Sequence, residues 1–475
     1  MDPYLRGPDL NQSPAEATGR LAAFAVSLSW SDVPEAVRRR TKIALLDVLG
    51  AAIAGSRMPI AGIASDIAPK VWGGDEASIL LSGRRASAAG AAFANGCLAN
   101  ALDIDDGYRP IKGHPGAVVF PAALAAAESL GRDGATLLAA VVAGYEVAIR
   151  AGLALHAVYA DYHGSGSWGA LGAAAAAGRV LGLPAERLTH ALGIAEYHGP
   201  MSPIMRCVEH PAMVKDGIGW GAMAGLGAAL LAGSGFTGIP TVLDLRPAFL
   251  SDLGREYKIM QLYFKPHACC RWAQPPIEGV RRILERIRLA PEVVEKIRIH
   301  TFEAAMHLGP VWPRTTEEAQ YSLAWPVAAA LIDGRVGPEQ VSGARLGDAR
   351  VRALASKVEP VLSAELDGRF PAEALCEVEI LMRDGTVHRS GICGAKGDPA
   401  DPLTDAALRR KFHDLADPVL GLERAVRVEQ LVDELDRLAG IEDLLALLRF
   451  PVTHQPQVTG ARDRRYGIRR EGVGR

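Results

Sequence analysis

Aromatic side chains make up only 6% of this 475-residue sequence, and lysine is scarcer still, supplying ten of the 52 basic residues and leaving 52 − 10 = 42 to arginine. Each lysine therefore merits a separate question. Six cysteines stand at 97, 207, 269, 270, 376 and 393 with no CxxC pair, which suits neither a disulfide framework nor a zinc site and points to a reducing, cytoplasmic compartment. Excess charge is also missing: 52 basic against 54 acidic residues give a net −2, so the bulk attraction that non-specific nucleic-acid binding needs is absent. There is no P-loop, no GxGxxG after a strand and no HExxH, which removes the contacts that nucleotide, dinucleotide and zinc-protease chemistry require. The first twenty residues hold acids and prolines but no apolar run, so they do not read as a secretory signal. Residues 217–243 carry no charge and exceed the roughly 20 residues of a membrane span, yet recurrent glycines, Pro240 and the GSGFTG turn predict a buried core helix instead.

What is present is a hydrophobic content of 49%, enough for a sizeable core. Alanine-rich stretches at 118–131, 135–157, 169–182 and 220–232, each bounded by Gly, Pro or Asp, predict helices, as does 35–55 behind a Ser31-Asp32-Val33-Pro34 start. Beyond Arg271 the composition shifts. PPIEGVRRILERIR predicts an amphipathic helix, VVEKIRIHTF a half-buried strand and CEVEILMRDGTVHRSGI at 376–392 a hairpin, with helices expected over QYSLAWPVAAALIDG and DARVRALASKVEPVL. The reading is a mainly α protein with an α+β second domain: helical over 15–268, a smaller α+β unit over 269–397, a helical return over 398–458 that rejoins the first domain, and a disordered arginine-rich tail over 459–475.

Four polar clusters interrupt the apolar helices. The first runs Asp103-Ile104-Asp105-Asp106-Gly107-Tyr108 and continues through Lys112 to His114, in a loop between two Ala-rich helices, where sites tend to lie. Asp105 and Asp106 also suit a solvated helix end. The second, Asp161 to Gly169, places His163 and two serines at a helix start that favours anionic groups. Lys215 opens the uncharged stretch, where an unpaired charge is costly. Finally, Lys265, His267, Cys269, Cys270 and Arg271 fall at the junction between the two domains. Cations, two histidines able to move protons and the carboxylate of Asp103 together suit a polycarboxylate whose α-proton is removed.

At these clusters the sequence resembles the MmgE/PrpD family, which includes 2-methylcitrate dehydratase, cis-aconitate decarboxylase and an iminodisuccinate epimerase. The resemblance is carried by LLDVLGAAIAGS, NGCLANALDIDDGYRPIKGHPGA, YHGSGSWGALGAAAAAGRVLGL, MVKDGIGWGAMAGLGAALLAGSGFTG, YFKPHACCRWAQPPIEGV, QYSLAWPVAAALIDGRV and DPLTDAALRRKF. It implies a large helical domain with a smaller lid, a homodimer, and lyase chemistry on a small polycarboxylate without metal or organic cofactor, in no contact with nucleic acid or membrane. Carried over by position, it implies active-site roles for Asp103, His114, His163, Lys215 and Lys265; with the clusters, Asp103, His114, His163 and Lys215 are expected to be catalytic and Lys265, Arg271, His267, Cys270, Trp325 and Tyr108 to bind substrate. Gly107 stands where the dehydratase and decarboxylase pattern has Thr, Cys270 where the decarboxylase has His, and Trp325 at its lid Tyr. The expected activity is dehydration of a hydroxy-polycarboxylate, with dicarboxylate epimerisation or non-catalytic carboxylate binding as alternatives.

Overall fold

A computed structural model describes residues 16–450; the tail expected over 459–475 lies outside the described residues. The chain begins with α1 (Glu16–Ser27), α2 (Glu35–Gly55) and α3 (Pro59–Trp72), followed by a short antiparallel ribbon, β1 (Ala77–Ile79) and β2 (Arg84–Ala86). Then come α4 (Ala88–Ala99), α5 (Pro115–Ser129), α6 (Gly134–Val158), α7 (Ser165–Leu181), α8 (Ala185–His198) and α9 (Ile218–Gly233). Alanine and glycine dictate how tightly these helices pack. A Cβ at Gly221 of α9 would lie 2.6 Å from Gly166 Cα of α7, so the two backbones touch only because neither position has a side chain. Helix α6 is long and apolar enough to cross a membrane, but 94% of that stretch is buried inside the protein, which makes it the central core helix.

Helix α9 departs from the sequence reading. Its 16 residues are shorter than a span, and it is not buried all round: Ala222, Leu226 and Ala229 face α7, while Trp220, Leu230 and Leu231 are exposed.

The second unit holds α10 (Gln274–Leu284) and a sheet of order β4-β3-β5-β6, made of β3 (Val294–Thr301), β4 (Val358–Leu362), β5 (Cys376–Met382) and β6 (Val387–Cys393), together with α11 (Ala324–Asp333) and α12 (Ala349–Ala355). Strands β5 and β6 form the hairpin expected from 376–392. The expectation of one helix through DARVRALASKVEPVL is corrected: α12 stops at Ala355, and Val358–Leu362 pairs in parallel with β3 at the sheet edge. Pro360 lacks an N–H and is excluded from a helix interior, but an edge strand accommodates it.

The chain then returns through α13 (Asp405–Leu420), α14 (Leu422–Glu434) and α15 (Glu442–Leu448). Leu408, Phe412 and Ala416 of α13 join the core formed by α1 to α9. A second core, around the sheet, α10 and α11, also takes in Ala51, Ala54, Leu102 and Ile104, so the seam between the units is itself dry. The acidic loop 103–106 lies on that seam.

Candidate active site

Three helix starts meet at the seam. His114 is the residue before Pro115 of α5, Ser165 opens α7, and Lys215 and Asp216 precede α9. Ser165 ties them together: its hydroxyl accepts from the His114 backbone N–H at 2.9 Å and donates to Asp216 Oδ2 at 2.9 Å. Aligned helix dipoles give this point a positive potential before any side-chain charge is counted.

The backbone is strained here. Asp103, Lys112 and Lys215 have φ of 49°, 48° and 41°, and with Leu81 they are the non-glycine residues at positive φ among those described. Such conformations cost on the order of 1–3 kcal/mol each and persist where the surroundings fix them.

An open cavity on the seam is walled by Asp103, Lys112, His114, Cys270 and Arg271 from the predicted clusters, with Arg109, Asp216, Tyr263, Tyr321 and Phe370 among its other walls. Asp103 is its electrostatic centre. Burial pushes this carboxyl up, but Lys265, Lys215 and His114 outweigh that effect and hold it below the usual range. Lys265 Nζ donates to Asp103 Oδ1 at 2.7 Å, and Asp103 and Asp105 overcome the burial of this ammonium and push it up. The pair is therefore ionised on both sides. Lys215, whose burial lowers it, donates to the Asn100 carbonyl and to Gln320 Oε1, the latter at 2.7 Å.

His114 Nδ1 lies 2.7 Å from the Asp106 carbonyl oxygen. A carbonyl only accepts, so Nδ1 carries the hydrogen and Nε2 is the nitrogen left to exchange a proton. That Nε2 stands 3.3 Å from Asp103 Oδ1, so an imidazolium formed there is met by a carboxylate. The tautomer is thus fixed by the backbone, whereas in a Ser-His-Asp triad the acid does this; here the acid lies at the proton-exchanging nitrogen.

Asp105 and Asp106 are fully buried, not solvated as a helix end would be. Asp105 Oδ1 accepts from Asn100, and its Oδ2 has no hydrogen-bond partner. Asp106, raised by burial to about 7, accepts from Tyr145 and from the Gly116 N–H. Oxygens of Asp103 and Asp105 and a His114 nitrogen lie within 4.8 Å of one another, a spacing that could hold a metal ion. Lys265 already sits on Asp103 Oδ1, and a cation there would face two lysines.

Other expected residues are placed elsewhere. His163 is buried beside the cavity wall, stacked on His156 at 6.3 Å, with its Nδ1 unpartnered. The segment is held by its neighbours: His163 N–H donates to His156 Nε2, and Ile204 N–H, from the cavity wall, to the Tyr162 carbonyl. Trp325 is buried in the α+β core, and its indole N–H is used by the Gln340 carbonyl at 2.9 Å, so it cannot serve the cavity. Tyr321 supplies the cavity phenol instead, its hydroxyl 3.5 Å from Asp216 Oδ1. Tyr108 is turned away to Gln261, and His267, pushed down to about 3 by burial, lies in the α+β core where it accepts weakly from Val336 N–H. Cys270 does line the cavity, but burial pushes its thiol up to about 12, which leaves it protonated.

Sequence reasoning missed Tyr263, Tyr321 and Asp216, and gave Lys112 no role. Among the described residues Lys112 has no carboxylate partner; its Nζ sits over the Tyr162 ring at 3.4 Å and the Phe370 ring at 4.6 Å, bridging the two units, and burial lowers it to about 8. The scarcity of lysine was the available signal.

Residues 19–259 match the MmgE/PrpD N-terminal domain, and residues 267–437 match the MmgE/PrpD C-terminal domain. The chain belongs to the MmgE/PrpD family. Within that family it is 29% identical over 482 residues to a cis-aconitate decarboxylase-like protein of Aspergillus oryzae, a match covering 91% of this chain and 97% of the relative. It is also similar to the cis-aconitate decarboxylases of Aspergillus terreus (26% over 482 residues, covering 92% and 96%) and Homo sapiens (28% over 472 residues, covering 91% and 95%). The MmgE/PrpD architecture of a large helical unit and a smaller α+β unit is the one described above.

Proposed function

We propose that this chain is a lyase that takes a proton from the carbon beside a carboxylate of a small hydroxy-polycarboxylate and expels water, using side chains alone. The observation that carries this reading is His114, with Nδ1–H fixed on a backbone carbonyl and Nε2 free beside Asp103 in a cavity walled by cations. His114 Nε2 takes the proton as the C–H bond breaks, the electron pair forms the double bond, and the C–O bond opens as water leaves with a second proton. Asp103 steadies the imidazolium. Arg271, which lines the cavity and pairs with Asp398, is proposed to hold a carboxylate, and Lys265, behind Asp103, to add positive potential for the enolate-like charge; preorganised charge in a dry cleft is usually the largest contribution to rate. His163 is proposed as the second proton-transfer group, and Lys215, outside the cavity lining, as a cation that keeps Asp103 ionised.

A general base contributes about 10²–10⁴ in rate, so His114→Ala should lower kcat by that factor while the fold survives. Incubation with citrate, 2-methylcitrate and cis-aconitate, followed at 240 nm and for released CO2, tests the reaction. Rising absorbance from a hydroxy acid, lost in His114→Ala, is expected; unchanged turnover in that variant removes His114 from the mechanism. Decarboxylation is the second reading, favoured by full-length similarity to proteins named cis-aconitate decarboxylase, and CO2 release would establish it. Solvent deuterium uptake without an absorbance change would mean epimerisation.

We also propose that two copies associate and that the enzyme works in the cytoplasm, in contact with neither nucleic acid nor membrane. The six free cysteines and the near-neutral charge support the location, and an exposed apolar strip, Ile63, Val71, Val214 and Trp220 at 53–72% accessibility, supports the association.

A further inference from the structure

Tyr263 is laid over Gly107. The two exchange backbone hydrogen bonds, Gly107 N–H to the Tyr263 carbonyl at 3.0 Å and Tyr263 N–H to the Gly107 carbonyl at 2.8 Å. A Cβ added at Gly107 would overlap the phenol, with Cζ and Oη closest and Cε2 at 2.8 Å. Glycine is thus required at 107 by the ring above it, and the phenol oxygen takes the place a side chain at 107 would fill. On the ring, the Arg271 guanidinium sits 5.1 Å from the centroid, itself anchored by Asp398. The ring is held in place from both sides.

The hydroxyl so positioned has no hydrogen-bond partner among the described residues, although Tyr263 is 3% exposed and lines the cavity beside Asp103 and His114. Burial keeps it far from ionisation, so it stands as a neutral O–H donor. The hydroxyl is not one of the fully buried polar atoms that lack a partner, so it reaches the cavity and is available to donate to a bound ligand there. Its neighbours, a cation and a proton acceptor, take the ligand's carboxylate and its acidic hydrogen, which leaves the alcohol oxygen for the phenol.

We propose that Tyr263 is a specificity-determining residue whose hydroxyl donates to the alcohol oxygen of a hydroxy-polycarboxylate, and that Gly107 exists to let it reach. The inference rests on the water-elimination reading above. Sites built to pair a polar group reject ligands that lack it far more strongly than apolar pockets reject a missing methylene.

The experiment compares citrate with tricarballylate, the same tricarboxylate without its hydroxyl, by calorimetric titration. In the wild type, citrate should bind at least about 30-fold more tightly. In Tyr263→Phe, which keeps the ring, the ratio should fall below about 3 while tricarballylate affinity stays within twofold and the melting temperature is unchanged. Gly107→Ala, which keeps the phenol but displaces it, should lower the same ratio. An unchanged ratio in Tyr263→Phe overturns the assignment to Tyr263 alone. Failure of the wild type to bind either acid overturns the polycarboxylate reading and this proposal with it.

Discussion

Replacing Lys411 by methionine removes one charge from a buried pair. Lys411 Nζ of α13 lies 2.6 Å from Asp47 Oδ1 of α2 and 2.7 Å from the Ile104 carbonyl, in the middle of the acidic loop. The two side chains are 7% and 0% exposed, and Asp47 Oδ2 has no other partner. Methionine fits the stem but leaves an uncompensated buried carboxylate, for which breaking a buried pair typically costs about 3–5 kcal/mol. With unfolding entropy near 2 cal/mol/K per residue, a chain of this size loses roughly 3–5 °C in Tm. Burial raises the Asp47 carboxyl and Lys411 pulls it back, so removing Lys411 raises it further. A carboxyl raised in the folded state takes up a proton on folding, and its contribution falls as pH rises through that interval. The deficit of Lys411→Met relative to wild type should therefore be largest near pH 8 and shrink toward pH 5. Urea titration and differential scanning fluorimetry at both pH values measure it, with Asp47→Leu/Lys411→Met as the control that removes both charges and recovers most of the loss. A deficit under about 1 kcal/mol, or a double variant as unstable as the single one, would refute the argument.

Lys112→Met should raise KM for a polycarboxylate about tenfold or more with kcat within a few-fold, because a cation lacking a carboxylate partner is lost from the wall. Since burial lowers Lys112 to about 8, it is charged below that pH and neutral above it, so wild-type affinity should weaken between pH 7 and 9, and less so in Lys112→Arg; a flat profile would contradict this. Iodoacetamide at pH 7.5 should leave Cys270 unmodified by mass spectrometry in the folded protein, and alkylation at the rate of a free thiol would show that its environment is misread. Val71→Asp/Trp220→Asp should convert a two-chain mass to a one-chain mass in light scattering, and an unchanged mass would place the contact elsewhere.

The helices were readable because alanine dominates them and Gly, Pro and Asp mark their ends; Glu35–Gly55 and the 376–393 hairpin needed no tertiary information. The strand Val358–Leu362 was not readable, since its pairing with β3 joins segments some 60 residues apart and its amphipathic pattern continues that of the helix before it. Asp103, His114 and Arg271 stood out as polar groups in glycine-rich breaks between apolar helices, and the cavity collects them. The burial of Asp105 and Asp106 could not be foreseen from a loop full of acids: Asp105 is met by Asn100 and by the charge of Lys265, 160 positions later, and Asp106 by the Tyr145 hydroxyl and the Gly116 N–H. Trp325 was assigned by alignment to a role that its indole N–H cannot fill while held by Gln340. Tyr263 reaches the loop only by folding back on Gly107, and nothing local to either residue signals that approach.

The bond between Asp47 and Lys411 spans 364 residues of sequence. At about 5–20 residues per second, α2 leaves the ribosome roughly 20–70 s before its partner is made. Throughout that interval the helix carries a carboxyl destined for a dry core with no cation to meet it, so the nascent helical unit cannot close in its final form, and the Ile104 carbonyl waits for the same ammonium. The acidic loop is completed by one of the last helices to be synthesised. A loop assembled in this order has its full set of partners only once α13 has been made.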